Sequence, residues 1–168
     1  MPDAMNDDQR REKVRQMVKD ISICMFTTQD AAGIMHARPM APMADPTADD
    51  DTIWFFTHAS TPKTDEMSAD GNVLLSFSSP ATQDFLSLTG KALVMRDVEK
   101  QKALWSEGAR VWFPKGPESE DLALIAFHPE QAQYWDSPST AMLYAYGYVK
   151  AVLTGEPPNG GENAKVSF

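Results

Sequence analysis

Seven short runs rich in β-branched and aromatic residues, separated by turn-forming segments, constrain this chain more than any other feature. They are ISICMFTT (21–28), IMHARPMAPM (34–43), TIWFFT (52–57), VLLSFS (73–78), FLSLTGKALVM (85–95), LALIAFHP (122–129) and QAQYWD (131–136). The segment QDAAG between the first two predicts a hairpin. Pro39 and Pro42 cannot donate to a ladder, so the second strand is expected to be irregular or to lie at an edge near Arg38. Gly90 within the fifth run predicts a bulge or bend, and His128, Pro129 and Glu130 at the junction of the last two runs predict a turn. Helices interrupt the strands. Residues 8–20 place Val14, Met17 and Val18 on one helical stripe; residues 61–70 begin with Thr61 and Pro62, a cap and a first-turn proline. Asp97 caps a helix expected from 98 to about 107, a Pro/Gly-punctuated excursion carries Trp112 and Phe113, and residues 140–153 favour a helix despite Gly147. The order predicts a mainly β protein, an antiparallel barrel of six to seven strands with flanking helices. Residues 1–155 are expected to form one domain and 156–168 a mobile tail.

Composition excludes several functions. The net charge of −9, with Arg10, Arg11, Lys13, Arg15 and Lys19 interleaved among Asp7, Asp8, Glu12 and Asp20, argues against nucleic-acid binding. Cys24 is the only cysteine, so no intrachain disulfide can form and a reducing cytoplasm is the expected location. No apolar run reaches the roughly 18 to 20 residues of a membrane helix, and the N-terminus lacks the apolar core of a signal peptide. His36, His58 and His128 lack a regular metal-ligand spacing, so no metal site is expected. Motifs for a nucleophile elbow, a phosphate-binding lysine loop, a dinucleotide turn and a zinc protease are all missing. Cys24 lies between Ile23 and Met25, where a buried inert thiol is expected.

The remaining polar groups gather at strand ends: Arg38 after His36, then Thr57, His58, Ser60, Thr61 and Lys63 between a strand and a helix. Such a place suits an anion. A helix start offers unpaired N–H groups, Thr61 a hydroxyl, Lys63 a charge, and Arg38 a planar fork for phosphate oxygens. The same residues also suit surface ion pairs and an ordinary helix cap.

The segments HARPM (36–40), DTIWFFTHASTPK (51–63), VLLSFSSP (73–80), FLSLTGKALVMRD (85–97), LWSEGARVWFPKGPE (104–118) and HPEQAQYWDSP (128–138) together resemble the pyridoxamine 5′-phosphate oxidase-like superfamily, and within it the small bacterial general-stress flavoproteins. The resemblance runs from about residue 8 to 155. It implies a split β-barrel homodimer with FMN in clefts at the subunit interface. By the family's pattern, Arg38, Thr57, Thr61 and Lys63 would hold the FMN phosphate and ribityl chain, with Pro62 standing where the oxidases have a second arginine. Pro39, Met40 and Ala41 would run beside the isoalloxazine, Phe56 and Thr57 would flank it, and His58 is counted with the cofactor-binding residues. Gln83 is the nearest amide to the oxidase glutamine position, which Phe85 occupies, and Trp112 and Phe113 would close the cleft from the partner subunit or pack at the dimer interface without touching the flavin. The oxidases' C-terminal Arg-x-His pair is missing, since no arginine follows Arg110, so the resemblance implies the cofactor and not the pyridoxamine phosphate reaction. A flavin oxidoreductase with an unknown substrate and a non-catalytic flavin reservoir or redox sensor both fit. Related split barrels that take deazaflavin or haem form a third class.

Overall fold

An apolar stripe with caps at both ends explains the first helix, α1 (Asp7–Ile21). Asn6 accepts from the Gln9 amide at 2.8 Å, and the Gln9 side chain accepts from the Asn6 amide at 2.9 Å, a reciprocal capping box. Val14 and Met17 are buried against the sheet, and Ser22 ends the helix in the left-handed region. Asn6→Ala should therefore lower stability by about 1 kcal/mol in thermal or urea melts. An unchanged midpoint would show that the cap does not matter.

The computed structural model describes residues 5–45, 50–60, 65, 71–136, 140–156 and 162–168. The helix expected over 61–70 therefore lies outside the described residues, apart from helical Asp65. The strands are β1 (Cys24–Gln29), β2 (Met35–Met40), β3 (Ile53–His58), β4 (Asn72–Ser79), β5 (Asp84–Met95), β6 (Leu122–Asp136) and β7 (Glu162–Ser167). Between β5 and β6 lie α2 (Val98–Leu104) and a short 3-10 helix (Glu107–Val111). Helix α3 (Thr140–Thr154) lies between β6 and β7.

All pairings are antiparallel, in the order β2-β1-β4-β5-β6-β3, with β7 also on β6. The sheet rolls up. Phe26 on β1 and Phe55 on β3 have β4, β5 and β6 between them in sheet order, yet their rings meet edge to face at 5.3 Å. Around them the interior holds Leu75, Phe77, Leu86, Leu88, Ile125, Phe127 and Tyr134, all buried. A second cluster, with Phe56, Leu104, Leu122 and Leu124 buried and Trp105 and Phe113 packed on them, covers the outside of β3 and β6.

The barrel does not close. Among the described residues, no ladder joins β2 to β3, and one isolated bridge, Met43 N–H to the Trp54 carbonyl at 2.7 Å, links the two ends. Pro39, at the same strand parity as Met43, has no N–H to add to this edge. The result is a split β-barrel with flanking helices.

Several expectations change. The residues His128, Pro129 and Glu130 form no turn; β6 continues through them as one 15-residue strand. The register against β5 shifts between Thr89 and Gly90, and a Cβ on Gly90 would lie 2.1 Å from the His128 carbonyl oxygen, so the missing side chain lets β6 bend without breaking. That bend divides one edge of β6: β3 pairs with 122–127 and β7 with 131–136. The tail expected over 156–168 is likewise corrected, because Glu162–Ser167 is a strand with Val166 buried. Lys13 ties it to α1 by pairing with both Glu162 and Asp136. Burial works against the Lys13 charge, but those two carboxylates outweigh it and hold the ammonium above its usual range. Helix α2 stops at Leu104, short of the expected 107, because Trp105 turns extended and sets its indole against Phe56 at 5.7 Å.

Candidate functional site

Side-chain alternation sorts the expected site residues onto two faces. Arg38 pairs with Phe26 and Met40 with Cys24, both core residues, so Arg38 and Met40 face the barrel interior while Pro39 faces outward. Ala41 follows the strand and is exposed. On β3, Phe55 and Thr57 pair with Ile125 and Ala123 and face inward, whereas Phe56 and His58 face the second cluster.

Arg38 and Thr57 thus line the same interior from the two strands that bound the split. Arg38 precedes Met43 by five residues and Thr57 follows Trp54 by three, so both lie on the same side of the bridge. Arg38 is half-buried and its Nη1 donates to the Thr28 hydroxyl at 2.7 Å. Thr57 is 2 % exposed, and its hydroxyl makes a long contact of 3.4 Å with the His58 carbonyl. A cation and a buried hydroxyl therefore point into the same interior from the two strands that, among the described residues, no ladder joins.

Other expected residues sit elsewhere. Thr61 and Lys63 lie outside the described residues. His58 rests on the Phe113 ring at 4.8 Å and its Nδ1 lies 2.8 Å from Asp121 Oδ2. Trp112 stands 73 % exposed on the outer surface, and Phe113 beside it packs on Phe56. Gln83 occupies the turn before β5 with a φ of +59°, whereas Thr57 is level with the far end of β5, where Met95 meets Leu124. One chain therefore does not bring Gln83 to Thr57. Cys24 is buried, its thiol donates to the Met40 carbonyl, and burial pushes its pKa up to about 12, so no thiolate nucleophile is available. Thr28 and Asp121 were not singled out from sequence; the hairpin register, which sets Thr28 diagonal to Arg38, was the available signal for the first.

A cavity of about 850 Å³ lies between α1 and the segments around Met43 and Thr52. Its acidic groups are engaged: Asp45 with Lys100, Asp51 with Arg15, and Asp50 with Thr52. Arg15 and Lys19 also line it, and Arg15 is held by Glu12 and Asp51.

The model for proteins described as pyridoxamine 5′-phosphate oxidase like matches residues 9–159. The chain belongs to that family. The pyridoxamine 5′-phosphate oxidase-like chain is 24% identical over 169 residues to Protein bli-3 of Neurospora crassa, covering 95% of itself and 80% of the relative. The crystal structure of a candidate general stress protein 26 from Jannaschia sp. CCS1 aligns with a TM-score of 0.78 at 25% identity, over 96% of this chain and 99% of the other. That of the general stress FMN/FAD binding protein of Xanthomonas citri aligns with a TM-score of 0.66 at 26% identity, over 77% and 90%. These similarities agree with the split barrel built above from register and ring contacts. No described helix is long and apolar enough to cross a membrane.

Proposed function

We propose that this chain binds FMN at the split between β2 and β3 and uses it for redox chemistry on a small molecule of unknown identity. The carrying observation is the half-buried Arg38 guanidinium facing the same interior as the buried Thr57 hydroxyl, from two strands that no ladder joins among the described residues. The residues fit the group. A phosphate monoester needs cationic and hydroxyl donors, which Arg38 and Thr57 supply, with Thr61 and Lys63 as further donors. A polar ring edge needs free backbone groups, which the open side of β2 around Pro39, Met40 and Ala41 offers. Phe56 and His58 flank the site on its outer side. The flavin, when bound, supplies the two-electron and one-electron chemistry, while the protein binds, orients and excludes water. The similarity to a protein described as FMN/FAD binding supports the same reading.

The working unit in this proposal is a cytoplasmic homodimer. Met25, Phe85 and Trp135 are exposed on the outer face of β1, β5 and β6, an apolar surface suited to a second copy. Gln83, which the fold keeps from Thr57 within one chain, and the exposed Trp112 then belong to the partner side of the cleft.

The visible spectrum of the purified protein, followed by FMN titration, tests the cofactor. Bound flavin absorbance is expected, with a stabilisation of about 2.7 kcal/mol at a hundredfold excess over Kd. A colourless protein whose melting ignores FMN would sink the proposal. Reduction by NADH or NADPH and reoxidation by added acceptors then separates an enzyme from a reservoir, since a flavin that never cycles leaves only storage or sensing. Sedimentation equilibrium at the mass of one chain would overturn the dimer.

A further inference from the structure

The geometry points to Thr28 as a positioning residue that aims the Arg38 guanidinium at a phosphate in the split, an inference that rests on the FMN proposal. Thr28 is fully buried although it stands one residue from the end of β1. It pairs with His36 and is therefore the diagonal neighbour of Arg38, within reach of a long side chain on the same face. Its hydroxyl accepts from Arg38 Nη1 at 2.7 Å, a distance at the short end for a charge-assisted hydrogen bond.

The direction of that bond matters. Along β2, His36 lies farther from the Met43–Trp54 bridge than Arg38 does, so Thr28 draws the guanidinium away from the bridge. That is the side toward which β3 runs from Trp54 through Thr57 to His58. Chemistry suits the role as well. A hydroxyl holds an arginine N–H without bringing a charge of its own, as a carboxylate would. Restricting a side chain with several rotamers before the ligand arrives removes part of the ordering cost of binding. With Pro62 in place of a second arginine, the aim of Arg38 carries more weight.

The test compares FMN with riboflavin, which has the same ring and no phosphate. Thr28→Val keeps the shape of the side chain and removes the hydroxyl; Thr28→Ser keeps the hydroxyl. We expect Thr28→Val to raise the FMN Kd about tenfold and leave riboflavin binding unchanged, with Thr28→Ser close to wild type. Thermal melting of each apo variant is recorded alongside, and Thr28→Ala provides the same comparison if the valine variant does not fold. Unchanged FMN binding in Thr28→Val would overturn the inference. So would an equal loss of FMN and riboflavin, which marks a merely structural role. If Arg38→Ala weakens FMN binding and Thr28→Val does not, the FMN proposal stands and only Thr28 fails. A wild type that ignores FMN removes both.

Discussion

Gly90→Ala is expected to destabilise the fold by at least about 3 kcal/mol. The added Cβ would lie 2.1 Å from the His128 carbonyl oxygen and 2.9 Å from Pro129 Cα, and both are backbone atoms that cannot rotate aside. Ordinary overpacking moves a side chain; here β6 itself must shift. Its position at Gly90 decides which part of β6 serves β3 and which serves β7, so the strain reaches the strand that carries Thr57. Gly108→Ala is the matched control, because its new Cβ would meet nothing nearer than Ser106 Oγ at 3.8 Å. Urea unfolding of the two variants should separate them clearly. Equal midpoints would show that the close approach is not a constraint in solution.

Arg38→Ala should weaken FMN binding about a hundredfold, which corresponds to about 2.7 kcal/mol. The loss has two parts. A cation that can hold phosphate oxygens disappears from a half-buried position, and Thr28 loses a hydrogen-bond donor. Arg38→Lys should recover only part of the affinity, because a single ammonium replaces a planar fork. Riboflavin titration separates this from collapse of the site, since removing a phosphate anchor leaves binding of the bare ring largely intact. Equal FMN affinity in wild type and Arg38→Ala would disprove the assignment of Arg38.

Local chemistry announced much of this architecture. The QDAAG turn works as expected: the Asp30 carboxylate accepts from Ala32 and Ile34 N–H groups, and Gly33 takes a φ of +82°. The hydrogen bond from His36 and those from Ile34 and Ala32 hold the Asp30 carboxyl below its usual range, so that charge persists to more acidic pH. Pro39 and Pro42 marked the strand that fails to close the barrel, and Gly90 marked the bend. Strand β7 was not legible, because ENAKVS has one strongly apolar residue and little β propensity. It becomes a strand because the bend in β6 exposes an unpaired edge, which no local pattern reports.

Sequence alone determined the types of most described elements, the hairpin, the strand-end setting of Arg38 and Thr57, and the family, since each depends on residues near one another or on an ordered series of segments. Tertiary structure decided the rest. The inward pairing of Arg38 with Phe26 and Thr57 with Ala123, the isolated Met43–Trp54 bridge, the hold of Thr28 on Arg38 and the seat of β7 all depend on register between strands. Register is a property of the whole sheet, because a slip of one residue would turn every side chain of a strand to its other face.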